Sequence, residues 1–145
     1  KPNLLGMNLD YTRNGVLKMN SGKRIETFED LIIWQKAVEL AKEVYLITER
    51  EKLQTDFGLR SQMRNAAVSI SSNIAEGFER RTRKEYLNFL NIAKASAGEL
   101  RSQLYVAREI GYLNANEHDE LREKAKFLSG SIWNHMKAIT RATEA

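Results

Sequence analysis

The densest chemistry in this sequence is a run of cations. Arg80, Arg81, Arg83 and Lys84 surround Thr82 within five residues. Guanidinium forks beside the free N–H groups of a helix start make a site for phosphate or sulfate. The positive end of a helix dipole disfavours cations, so helix stability alone does not account for their placement. Upstream, Arg60 and Arg64 could add to a nucleic-acid-binding surface. Glu76, Glu79 and Glu85 lie close enough in sequence to neutralise much of the cluster. A solvated loop is therefore the competing reading.

Catalytic chemistry is not apparent. His118 and His135 are the only histidines, and neither closes a Glu-x-x-His pair, because Ala115 and Ile132 hold the required positions. That argues against a di-iron carboxylate bundle. Neither histidine has a second one four residues away to share a zinc ion. His118 is expected to be exposed in the first turn of a helix, and His135 to be a bundle-edge residue. The eight glycines are too scattered for a phosphate-binding loop, and Ser71 and Ser72 have no histidine nearby in sequence. No catalytic residue, metal site or cofactor is expected.

These residues must be carried by helices. Leu31, Trp34, Val38, Ala41 and Tyr45 recur at three- and four-residue steps, predicting a helix from Glu29 to Arg50. Gln54-Thr55-Asp56 offers a break with capping residues. A second helix follows through Leu59, Met63, Ala66, Ala67, Ile70 and Ile74 to Gly77. Thr82 with Glu85 is a capping box opening a third, which runs to Gly111, a C′ stop. Asn116 can cap a fourth, carrying Leu121, Ala125, Leu128, Ile132, Met136 and Ile139. The only proline is Pro2, so no later helix meets a proline break. Short connections between long helices predict an all-α, up-down-up-down antiparallel four-helix bundle over residues 25–145.

The second and third helices are rich in Ala, Ser and Gly along facing stripes, which suits close backbone approach. A hairpin turning near Arg80 would set Ala67 opposite Ala93 and Ser71 opposite Phe89. Beside that stripe runs a mostly uncharged polar flank: Gln62, Asn65, Ser69, Ser72, Asn73 and Glu76. It suits an oligomer interface, hydrogen bonds across the bundle, or an ordinary wet face. A partly buried Glu99–Arg64 pair is expected, because a carboxylate on an apolar side is costly without a partner.

The chain has 145 residues, no cysteine and a formal net charge of +4. Lys1, Arg13, Lys18, Lys23 and Arg24 face Asp10 alone in residues 1–24, so that segment holds the whole excess and the bundle is neutral. Nucleic-acid contact by the helices must then come from a local patch. Residues 1–24 read as an extended N-terminal arm or a turn-rich leader, expected to pack on the bundle or a neighbouring subunit. Met7 or Met19 could be a start codon, so part of the arm could be vector-derived. No apolar run approaches the roughly 18–20 residues of a spanning helix, and no membrane association is expected. The lack of cysteine suits a reducing, cytoplasmic setting.

Phe28-x-Asp30-Leu31-x-x-Trp34-Gln35-Lys36-Ala37, and the long string Gly58-Leu59-x-Ser61-Gln62-x-Arg64-x-Ala66-Ala67-x-Ser69-Ile70-x-x-Asn73-Ile74-Ala75-Glu76-Gly77, resemble the four-helix-bundle proteins of 23S ribosomal RNA intervening sequences. Lys84-Glu85, Phe89, Ala93, Ser96, Glu99-Leu100 and Gln103-Leu104 continue the resemblance, and Gly111-Tyr112-Leu113 matches its last turn. The likeness spans about residues 26–140; a proline common near Leu53 in the family is missing here. It implies a cytoplasmic bacterial protein assembling as a ring, a homopentamer, with no catalytic residues to carry over. Relatives are similar to accessory proteins of diversity-generating retroelements, which bind a reverse transcriptase and nucleic acid. Two functions are therefore expected: a non-catalytic oligomeric adaptor for structured RNA, or a scaffold docking a partner enzyme such as a reverse transcriptase.

Overall fold

A computed structural model of the chain describes residues 9–11, 17–19 and 24–144. Within the arm, β1 (Leu9–Tyr11) and β2 (Leu17–Met19) pair antiparallel, with Leu9 opposite Met19 and Tyr11 opposite Leu17. Lys18 bridges to Arg24, and β1 lies against the last helix. Strands of three residues are too short to show period-two alternation, so the sequence alone reads the segment as an extended arm. Lys1, Arg13 and Lys23, three of the arm's cations, lie outside the described residues.

The bundle opens with a 3-10 turn, Phe28–Asp30, in which Asp30 Oδ2 accepts from the N–H groups of Glu26 and Thr27 at 3.0 and 3.2 Å. Helix α1 (Ile32–Thr48) follows. Its buried stripe is Ile33, Ala37, Leu40, Val44 and Thr48, one residue out of step with the expected one. Val38 and Tyr45 are exposed, at 41% and 43%. Apolar residues occupy more than half of this helix's circumference, so two stripes have the same period and only packing separates them.

The expected break holds a short helix, α2 (Glu51–Thr55), which buries Leu53. Asp56 then caps α3 (Phe57–Phe78), its Oδ1 accepting from the Leu59 N–H at 3.1 Å. The other carboxylate oxygen accepts from the Tyr112 hydroxyl at 3.1 Å, tying the start of α3 to the last connection. That hydrogen bond to Asp56, with a smaller contribution from burial, raises the Tyr112 hydroxyl above its ordinary pKa. Thr82 opens α4 (Arg83–Glu109) in the expected way, accepting from the Glu85 N–H at 3.2 Å. Gly111, with φ of 82°, stops that helix where only glycine is unstrained. Helix α5 (Ala115–Glu144) is capped by Asn114 and not Asn116: Asn114 and Glu117 exchange backbone-to-side-chain hydrogen bonds of 2.9 and 3.0 Å.

Helices α1, α3, α4 and α5 pack in the cyclic order α1–α3–α4–α5–α1, an up-down-up-down bundle. Met63, Ile70, Ile74, Leu90, Leu100, Leu104, Leu128, Ile132 and Ile139 fill its centre. Burying each such side chain contributes about 1.5–3 kcal/mol. The α1–α5 side is the thinnest of the four interfaces, bridged by Lys124 to Glu43.

Candidate nucleic-acid interface

The α3–α4 hairpin is held by small residues. A Cβ on Gly77 would meet Phe89 Cβ at 2.6 Å, so the backbones approach as closely as the Ala/Ser/Gly stripe suggests. Their register differs from the expected one by five to six residues, about one and a half helical turns. Ser69 and Ser96 share a hydrogen bond of 2.9 Å, and Gly77 faces Phe89. Counting from a turn at Arg80 misplaces these pairs because α4 starts only at Arg83.

This register fixes the basic turn at one end of the bundle. Arg80 Nη2 donates to Glu76 Oε1 at 2.7 Å, and its guanidinium sits 4.7 Å over the Phe89 ring. Thr82 Oγ1 donates to Glu85 Oε2 at 2.8 Å. Two of the acidic neighbours are thus engaged locally, as the solvated-loop reading anticipates. Arg83 is half-buried and already partnered, while Arg81 and Lys84 project into solvent.

The cluster is larger than the turn. Tyr86 Oη and His135 Nε2 lie 2.7 Å apart, which sets α4 residues before 86 beside α5 residues after 135. Lys137 and Arg141 therefore join the same end. With them comes Trp133, 48% exposed, with Lys137 Nζ 5.9 Å over its ring. Trp133, Leu87, Met136 and Thr140 line a groove of about 330 Å³ edged by Lys137 and Arg141. Trp133, Lys137 and Arg141 recur every four residues on one face of α5, a signal that core periodicity overshadows in the sequence.

Arg60 and Arg64 stand apart, about 24–30 Å from Arg80 along α3. Arg60 Nη1 donates to the Gln54 carbonyl at 2.8 Å and stacks over Phe57. Arg64 donates to Thr48 Oγ1 at 2.8 Å and to Glu49 Oε1 at 2.9 Å, 4.4 Å over the Tyr45 ring. It fastens the end of α1 to α3. The expected Glu99–Arg64 pair does not form: Glu99 is exposed and accepts from Gln103 Nε2 at 3.2 Å.

The polar flank divides. Ser69 and Asn73 face inward, with Asn73 Nδ2 donating to the Ser69 carbonyl at 2.7 Å and to Ser69 Oγ at 2.9 Å. Together with Ser96 they hydrogen-bond across the α3–α4 seam. Gln62, Asn65 and Ser72 are exposed, as is Glu76 beside Arg80. Outward on α4, Ile92, Val106 and Ile110 are 47%, 47% and 50% exposed.

Both histidines are buried, against expectation. His118 is 2% exposed, its Nδ1 3.0 Å from Asp119 Oδ1 and its ring edge-on to Tyr105. His135 is fully buried against Tyr86, and desolvation lowers its pKa to about 3. An imidazole is apolar enough to replace a core residue at helical spacing, which a search for partner ligands does not reveal. Among the described residues no group of three or more His, Cys, Asp or Glu gathers as a metal site. Nor is any helix among them long and apolar enough to cross a membrane.

A sequence model of the family described as "23S rRNA-intervening sequence protein" matches residues 29–134. The fold is similar to a solved structure of a protein with unknown function, from the S23 ribosomal protein family of Bacteroides thetaiotaomicron VPI-5482. That likeness has a TM-score of 0.68 and 22% identity, and covers 73% of this chain and 99% of that one. Comparison with curated proteins gives no match.

Proposed function

Because the chain belongs to the 23S rRNA-intervening sequence protein family, we propose that it is a non-catalytic, oligomeric adaptor that binds structured RNA through the basic end of its bundle. The observation that carries this reading is the convergence of cations from two elements: Arg80, Arg81 and Lys84 at the α3–α4 turn, Lys137 and Arg141 on α5. Phosphate recognition needs such a patch when the bundle's own charge sums to zero. Recognition is of backbone and shape, since duplex RNA hides its base edges in a deep, narrow groove. A bacterial cytoplasm, where a chain without cysteine meets RNA, fits this role. Arg60 and Arg64, spent on intramolecular contacts, are left out of the RNA surface.

The test is the affinity for an RNA hairpin across a salt series. Replacing Arg81 and Lys84 with alanine is expected to weaken binding and lower the slope of log affinity against log salt by about 0.7–0.9 per lost phosphate contact. Unchanged affinity and slope would sink the proposal.

A second reading, a scaffold docking a partner enzyme such as a reverse transcriptase, is favoured by the exposed apolar residues of α4, Ile92, Val106 and Ile110, beside Gln62, Asn65 and Ser72 of α3. The same face suits assembly into a homopentamer. Molecular mass that stays monomeric at every concentration removes the assembly.

A further inference from the structure

The groove at the end of α5 is not explained by phosphate binding. A patch built only to meet a phosphate backbone needs cations, yet here a large aromatic surface is held open between them. Trp133 is 48% exposed, and Leu87 and Met136 give the groove an apolar floor. Its volume of about 330 Å³ is at the lower end of the range of small-ligand sites. Lys137 Nζ, 5.9 Å over the indole, is at the outer limit of a cation–π contact and readily exchanged. Arg141 edges the same groove, and Lys84 lies one helical turn before Leu87.

We propose that this groove holds an unpaired nucleotide of RNA, its base stacked on the Trp133 indole and its phosphates met by Lys137, Arg141 and Lys84. The inference rests on the RNA-binding reading of this end and adds a preference for single-stranded segments beside a duplex. Charge complementarity selects the occupant: an aromatic platform rimmed by cations suits a base joined to phosphate. An apolar helix from a partner would leave three cations with nothing to pair. Stacking is indifferent to base identity, so the preference is for an unpaired state and not for a sequence.

The experiment uses the full chain, a labelled oligouridine, whose bases are unstacked, and a blunt RNA duplex of equal length. Trp133→Ala is expected to weaken oligouridine binding about tenfold, the order of one lost stacked base, and to leave duplex binding unchanged. Trp133→Phe should retain most of the single-strand affinity. Arg81→Ala with Lys84→Ala should weaken both RNAs. As a readout that does not disturb the groove, Trp34→Phe leaves Trp133 as the sole tryptophan, and oligouridine should quench its fluorescence. Single-strand affinity that survives Trp133→Ala, without quenching, overturns the stacking site; if the turn variant still weakens duplex binding, the proposed function stands. Failure of the unmodified protein to bind either RNA removes both. A Trp133→Ala variant that loses self-association and keeps its RNA affinity assigns the groove to a second copy of the chain, which also overturns the inference.

Discussion

A buried imidazole with no counter-charge has only one favourable protonation state. His135 is fully buried, takes a hydrogen bond with Tyr86 Oη at its Nε2, and has no partner at Nδ1. Desolvation holds its pKa at about 3 in the fold, against about 6.5 in an unfolded chain. Between those values the unfolded chain binds the extra proton, so stability rises with pH across the window and is complete above it. This one group should remove about 2 kcal/mol of stability on going from pH 7 to pH 5. Denaturant unfolding of the protein and of His135→Gln at both values checks this: the variant should lose less between them, and parallel losses refute the assignment. The residue scale was the least legible in the sequence. The sequence shows that neither His118 nor His135 has a second histidine at metal-pair spacing, but their burial depends on neighbours from α4. Arg64 likewise could be assigned a partner only once α1 and α3 were docked, and that partner is Glu49.

At the scale of elements, the seam between α3 and α4 shows how a single hydrogen atom in place of a side chain sets a packing distance. In an exposed helix, replacing glycine by alanine gains about 1 kcal/mol of propensity. At Gly77 the new Cβ would lie 2.6 Å from Phe89 Cβ, an atom fixed to the opposing backbone. Overpacking costs about 1–3 kcal/mol, so the net effect of Gly77→Ala should be destabilising. At Gly98 the nearest atom is the flexible Arg101 Nη2 at 3.8 Å, and Gly98→Ala should stabilise instead. Opposite shifts in the thermal unfolding midpoint are the expected result; two shifts of the same sign would refute the account. The order and most ends of the four long helices were legible, since Thr82, Glu85 and Gly111 are local signals read by the backbone itself; the short α2, one turn and a half with a single buried residue, was not. The face that α1 buries was not, because Val38 and Tyr45 form a stripe as regular as Val44 and Ala37. The α3–α4 register was not either, since a turn's length is not contained in its residue types.

For the whole molecule, the sequence shows a neutral bundle and one basic run, but not which distant residues join it. Only the Tyr86–His135 register brings Trp133, Lys137 and Arg141 to that end. The bundle's flank presents a separate surface, with Ile92 and Val106 exposed on α4. On the proposed assembly, sedimentation of the unmodified protein should show mass rising with concentration toward five subunits. Ile92→Lys with Val106→Lys should return it to one. A mass that never exceeds one subunit would disprove the assembly and leave the RNA end unaffected. The segregation of cations to one end matters differently once copies associate. Cyclic symmetry relates subunits by rotation alone and keeps every molecule pointing the same way, whereas a dihedral arrangement turns half of them over. Under the first, all the Arg81, Lys84 and Trp133 side chains would gather on a single rim. An RNA held weakly by one subunit would then be retained by several, its residence governed by avidity and not by the strength of any one site.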